Sequence, residues 1–231
     1  MLTYPTGNQK TDYPTMHTFH RQNIVRIPTI MDDAHLTKLR EEVLALVAER
    51  NRINRLNFLV HKQGATIGRD KLEGTKTLDF YRSPELADTL RAIIGSSVTP
   101  TPAHDLNSCS ILIYEKPGDR IGWHYDHNFY KGRHFTVLLP LVNTGRNRGL
   151  SHAEFHVMIE GKEAIFPSPP GCLIVFEGAK VLHQATPIKE GERRLVVSMT
   201  FATDIRAPFW KTWARRIKDV FYYGPSALWR R

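Results

Sequence analysis

The chain has 231 residues, of which 41% are hydrophobic and 24% charged, and it carries a formal charge of +9. These proportions predict an ordered core in a single domain spanning residues 1–231. No stretch approaches the roughly 20 apolar residues of a bilayer span, so no membrane partner is expected. The amino-terminal residues are polar and lack an apolar h-region, so we read no secretory signal. Cys109 and Cys172 each sit in an apolar run, which points to buried reduced thiols in a cytoplasmic protein and away from a disulfide framework. The basic residues are dispersed without a run of five or more, so the charge favours anionic ligands over a nucleic-acid tail.

Taken in chain order, residues 1–22 show no periodicity and read as an extended lead-in. From Asp32 or Asp33 a helix is predicted, with Leu36, Leu39, Val43, Leu46 and Val47 on one stripe. Residues 56–60 and 77–81 read as short strands around a loop containing Gly64, Gly68 and Gly74. Ser83-Pro84 is a helix start, a cap followed by proline in the first turn, and Gly95 is its stop. Residues 1–106 thus form a lead-in with supporting helices. From 107 to 202 the texture changes to eight short β-rich runs, at 108–114, 122–125, 134–141, 154–159, 163–166, 173–177, 182–185 and 195–201. Turn residues between them predict a sandwich or jelly roll, a mainly β fold with flanking α-helices. Over 203–231 a last helix is predicted, carrying Trp210, Trp213, Ile217 and Phe221 on one side and stopped by Gly224-Pro225.

The chemistry concentrates in this β-rich part. His124 and Asp126 are two residues apart, so on a strand both side chains point to one face. A helix would splay them by about 200°. His183 follows 57 residues later, as on a partner strand across a barrel. Two neutral imidazoles and one carboxylate on one face of a metal suit non-heme Fe(II), with the opposite face open to reactants. Alone, His-X-Asp is a weak signal, and His104-Asp105 shows how readily such residues meet by chance.

Arg193 strengthens it. The residue opens a strand in which Leu195, Val197 and Met199 share its face, so its guanidinium is expected to point into the interior. A buried arginine needs an anion, most simply a ligand carboxylate held by a forked pair of hydrogen bonds. The alternatives are an outward Arg193 with Arg194 turned inward, or a structural ion pair.

Tyr114-Glu115-Lys116-Pro117-Gly118, His124-Tyr125-Asp126, His183 and Arg193, in this order and spacing, resemble the prolyl 4-hydroxylase type of the Fe(II)/2-oxoglutarate-dependent dioxygenase superfamily. The resemblance covers about 107–202 and implies a double-stranded β-helix, the cupin-like jelly roll. It implies that His124, Asp126 and His183 ligate Fe(II) and act in catalysis. Arg193 would bind the distal carboxylate of 2-oxoglutarate, and Tyr114 would donate a hydrogen bond to that co-substrate, with Thr136 as a weaker candidate in the same pocket. Dioxygen and 2-oxoglutarate would be consumed to give succinate, CO2 and hydroxylation of a substrate C–H bond; desaturation or ring closure follows where rebound is outrun. Related halogenases have a small residue where Asp126 stands, to make room for halide, so Asp126 argues against halogenation.

A small metabolite, amino acid derivative or natural-product intermediate is the expected substrate. A peptidyl or prolyl hydroxylase is the runner-up. A nucleic-acid demethylase and a catalytically silent binding module rank below it, the first because those enzymes typically carry a second arginine shortly after the first and a longer gap from histidine to arginine. His152 and His156, between the two histidine ligands, and also His127 and His134, could be polar pocket groups or ordinary satisfied histidines. The aromatic and basic mixture at 209–216 is read as the buried face of the last helix, and 167–171 as a rigid turn.

Overall fold

The computed structural model describes residues 16–28, 30–49, 53–54, 62–146 and 149–207. The eight runs expected between 107 and 202 are all strands, with ends within three residues of those read from the sequence: β5 (Cys109–Tyr114), β6 (Ile121–His124), β7 (His134–Thr144), β8 (Phe155–Ile159), β9 (Lys162–Phe166), β10 (Leu173–Glu177), β11 (His183–Ala185) and β12 (Arg193–Ala202). Four earlier strands join them, β1 (Ile24–Ile27), β2 (Ile53–Asn54), β3 (Ala65–Ile67) and β4 (Thr99–Pro100).

The larger antiparallel sheet runs β1-β10-β7-β12-β5-β3-β2, with β4 on the end of β12, and the smaller runs β6-β11-β8-β9. Leu138, Ile174, Phe176 and Val196 of the large sheet and Phe155 and Val157 of the small one share a single buried cluster, so the sheets close face to face as a jelly roll. Alternation gives each long strand two faces. Along β12, Leu195, Val197, Met199 and Phe201 lie in the main hydrophobic core with residues of four helices. Arg194, Val196, Ser198 and Thr200 line the interior of the roll.

Two of the helices over the outer face are those read from the sequence. In α2 (Asp33–Glu49), Leu39, Val43, Leu46 and Val47 are buried. In α4 (Pro84–Ile94), Leu86, Leu90, Ile93 and Ile94 are buried. The Ser83 hydroxyl accepts the Leu86 N–H at 3.2 Å, and Gly95 ends α4 at φ 73°, which costs a residue without Cβ little.

Two expectations are corrected. The lead-in is not wholly extended: α1 (Met16–Gln22) forms, because Phe19 is fully buried with its ring centroid 6.1 Å from that of Phe135. Residues 77–81 are not a strand but most of α3 (Lys76–Tyr81). Thr75 caps that helix, and the Glu42 carboxylate accepts the N–H groups of Lys76 and Thr77 at 2.7 and 2.8 Å. The strand expected at 56–60 and the last helix with Trp210 and Trp213 lie outside the described residues. Cys109 and Cys172 are buried free thiols, pushed up to about 12 and about 11 by burial. No described helix is long and apolar enough to cross a membrane.

Candidate metal and co-substrate site

The small sheet brings the two distant histidines together. His124 ends β6, His183 begins β11, and the two are cross-strand partners with ring centroids 4.2 Å apart. Asp126 lies just past β6, where its N–H donates to the Gly178 carbonyl at 2.9 Å. One ligand atom from each of His124, Asp126 and His183 lies within 4.8 Å of the others, which is the spacing of groups that could hold a metal ion.

Hydrogen bonding fixes the chemistry of these donors. His124 Nδ1 lies 2.8 Å from the Gly122 carbonyl, and His183 Nδ1 2.9 Å from the Val181 carbonyl. A carbonyl can only accept, so each Nδ1 carries the proton and each Nε2 presents a lone pair. Those Nε2 atoms sit 3.7 and 3.9 Å from Asp126 Oδ1. Burial, and then the neighbouring His183, hold His124 down to about 4 against the opposing pull of Asp126. Burial opposes ionisation of Asp126, but the two imidazoles and the Thr136 hydroxyl bring it to about 2. Thr136 donates to Asp126 Oδ2 at 2.5 Å. At neutral pH His124 is therefore a neutral imidazole and Asp126 a carboxylate, and with His183 they make a donor set that fits Fe(II), each oriented from behind by a hydrogen bond.

The arginine expectation is corrected. Arg193 does not face the interior; its Nε donates to Glu115 Oε1 at 2.7 Å, in a pair that is 35% and 19% exposed. The interior position belongs to Arg194, which is 2% exposed and lines the cavity. The physical reason is that the large sheet is covered on both sides. The more apolar face of β12 lies under the helices, and the inside of the roll is its mixed face.

Arg194 Nε and Nη2 are buried without a hydrogen-bond partner among the described residues, and the guanidinium stands 5.5 Å from the Tyr114 ring centroid. An uncompensated buried guanidinium costs several kcal/mol, so this position fits an incoming carboxylate. Tyr114 is 2% exposed beside it, and burial pushes its phenol up, so it stays a hydrogen-bond donor at neutral pH. Thr136 lines the same cavity, but its hydroxyl is committed to Asp126.

The cavity, about 160 Å³ in volume, also includes Lys62, Asp105, Asn107, Ser198 and Thr200. Asp105 is fixed by the Tyr130 hydroxyl at 2.7 Å and the Asn107 N–H at 3.0 Å. The sequence reading missed this polar wall; the only signal for it was the alternation of polar residues along β12. Of the extra histidines, His127 and His134 line the cavity. His152 pairs with Glu192, and His156 lies between Glu154 and Glu163 on the outer side of the small sheet.

Solved structures of the same architecture are numerous. A 2OG-Fe(II) oxygenase family oxidoreductase from Burkholderia pseudomallei is 17% identical with a TM-score of 0.65, covering 89% of this chain and 97% of that one. A prolyl-4-hydroxylase from Pseudomonas putida is 16% identical with a TM-score of 0.61, covering 82% and 97%. The epimerase SnoN, in complex with Fe3+, alpha ketoglutarate and nogalamycin RO, is 14% identical with a TM-score of 0.66, covering 81% of each chain. The fold is thus that of the 2-oxoglutarate-dependent non-heme iron oxygenases, prolyl 4-hydroxylase-like in type. No curated protein matches in sequence. A sequence model of the family described as Halogenase D matches residues 8–145, more than half of the chain. The chain belongs to the Halogenase D family.

Proposed function

We propose that residues 1–231 form one domain acting as an Fe(II)/2-oxoglutarate-dependent oxygenase. It hydroxylates a C–H bond of a small polar metabolite, such as an amino acid derivative or natural-product intermediate, and releases succinate and CO2. The observation that carries this reading is the Asp126 carboxylate, set with Oδ1 within 4 Å of both imidazole Nε2 atoms. Iron bound there, with 2-oxoglutarate and dioxygen, would supply the oxidising chemistry. His124 and His183 hold the metal through Nε2, and Asp126 through its carboxylate. Arg194 pairs with the distal carboxylate of the co-substrate, and Tyr114 donates to it from the same wall. Lys62, Asp105, Asn107, Ser198 and Thr200 give the remaining cavity both signs of charge and neutral donors. That lining suits a small zwitterionic or polyfunctional substrate better than an apolar one.

Membership in the Halogenase D family makes halogenation the competing reaction, and Asp126 weighs against it. A carboxylate at this position takes the place a halide would need on the metal. The test is turnover of the iron-loaded protein with 2-oxoglutarate in air and chloride-containing buffer, against a panel of amino acids and their derivatives. We expect succinate release, and products that gain oxygen and no chlorine. Chlorinated product would overturn hydroxylation, and absence of succinate from iron-loaded protein would overturn the oxygenase reading itself.

A further inference from the structure

Gly178 is the first residue after β10 and stands directly behind the Asp126 carboxylate. A Cβ built on it would lie 2.5 Å from Asp126 Cβ, 2.7 Å from Oδ2 and 3.0 Å from Cγ. Gly178 is not among the positive-φ glycines, so its backbone is one that any residue could adopt. The requirement for glycine here is space, and the space is filled by the side chain of Asp126.

The backbone on both sides is pinned, so it cannot yield. Gly178 N–H donates to the His134 carbonyl at 3.2 Å while its own carbonyl accepts from Asp126 N–H at 2.9 Å. Glu177 precedes it in register with Phe135 of β7. The Glu177 carboxylate accepts from Arg133 at 2.8 and 3.0 Å and lies 3.2 Å from Lys180 Nζ. The N–H groups of Lys180 and Val181 close the following turn onto the Glu177 carbonyl at 2.9 and 3.2 Å. Val181 then holds the His183 imidazole. With the turn held at so many points, the party that gives way is Asp126, and because the nearest contact is its Cβ the whole residue must shift, carrying the carboxylate with it.

We infer that Gly178 is a positioning residue for the carboxylate ligand: its missing side chain is the room in which Asp126 turns towards the two imidazoles, and any Cβ there drives the carboxylate off the metal. This inference rests on the reading of Asp126 as a metal ligand, within the function proposed above.

The test is a double-mutant cycle in the full chain, read by anaerobic titration with Co(II) and its visible absorption, together with unfolding of the metal-free protein. Gly178→Ala should weaken Co(II) binding by about tenfold or more, the range of lost ligand support, and change the spectrum towards fewer protein donors. Asp126→Gly, which removes the Cβ as well as the carboxylate, should weaken it at least as much, and adding Gly178→Ala to that background should cost less than about twofold, since residues that act only through each other do not add. Should Gly178→Ala fail to fold, the double variant should fold again, because every atom of the collision has been removed. Wild-type Co(II) affinity in Gly178→Ala, or an equal loss in the Asp126→Gly background, would overturn the proposal. So would a double variant that stays unfolded while Asp126→Gly folds. Wild-type affinity in Asp126→Gly would instead remove the ligand reading, and the proposal with it.

Discussion

Adjacent arginines at the start of β12 have opposite fates, and the difference is measurable. Arg194→Ala removes the buried guanidinium that would meet the co-substrate carboxylate, so it should leave metal binding intact and raise the 2-oxoglutarate requirement by about a hundredfold or more, on the order of 3–5 kcal/mol. Arg193→Ala breaks a partly exposed pair with Glu115 and should change the same titration by no more than about 1 kcal/mol. Equal effects of the two variants would return the co-substrate role to Arg193. Titration of the ligands gives a second prediction. The folded His124 imidazole resists protonation to about 4, whereas the unfolded chain takes up that proton below about 6.5. Metal-free stability should therefore fall as acid is added through this window, by on the order of 2 kcal/mol between about pH 7 and about pH 5. His156 works in the opposite sense: burial disfavours its charge, but Glu163 and Glu154 raise it overall, so its contribution fades as pH rises. The loss specific to His124 is isolated by urea unfolding of wild type and His124→Ala, whose slope with pH should be flatter. Thr136→Val should weaken metal binding by about tenfold to a hundredfold while 2-oxoglutarate affinity, measured at saturating metal, holds.

Along the elements, the sequence was legible wherever one period dominated and ambiguous wherever a strand is buried on two sides. Short β-rich runs between turn residues located β5 to β12, and the clustering of His124, Asp126 and His183 followed because His124 and Asp126 share a face and His183 heads another run. The side of β12 did not follow. Leu195, Val197 and Met199 made the odd face look interior, and it is interior, but to the helix-covered layer and not to the roll. A one-residue change of facing exchanges the whole set of side chains, which is why Arg193 was preferred to Arg194. The strand expected at 77–81 failed for a tertiary reason: Thr77, Phe80 and Tyr81 favour strands, but the Glu42 carboxylate on α2 satisfies the helix's first amides. Gly178 was invisible because its role depends on a neighbour more than fifty residues away. The two faces of β12 separate stability from function. Met199→Ala, on the helix-covered face and fully buried, should cost about 2–5 kcal/mol in urea unfolding and leave co-substrate affinity of the folded fraction unchanged. Loss of 2-oxoglutarate binding from that substitution would mean the layers are not independent.

For the molecule as a whole, the site joins halves of different origin. His124 and His183 belong to the small sheet, whereas Thr136 and Arg194 belong to the large one. Anything held by all of them spans the seam between two layers that share one apolar cluster. With metal and acid in place, parting the layers locally would mean breaking several strong bonds at once. Amide exchange in β8 and β9, which carry none of these groups, should slow on loading with Co(II) and 2-oxoglutarate under nitrogen. Arg194→Ala should keep the part of that slowing due to metal and forfeit the part due to the acid. The cargo should then serve as a rivet as well as a reagent, and limited proteolysis is expected to cut the metal-free protein faster than the loaded one.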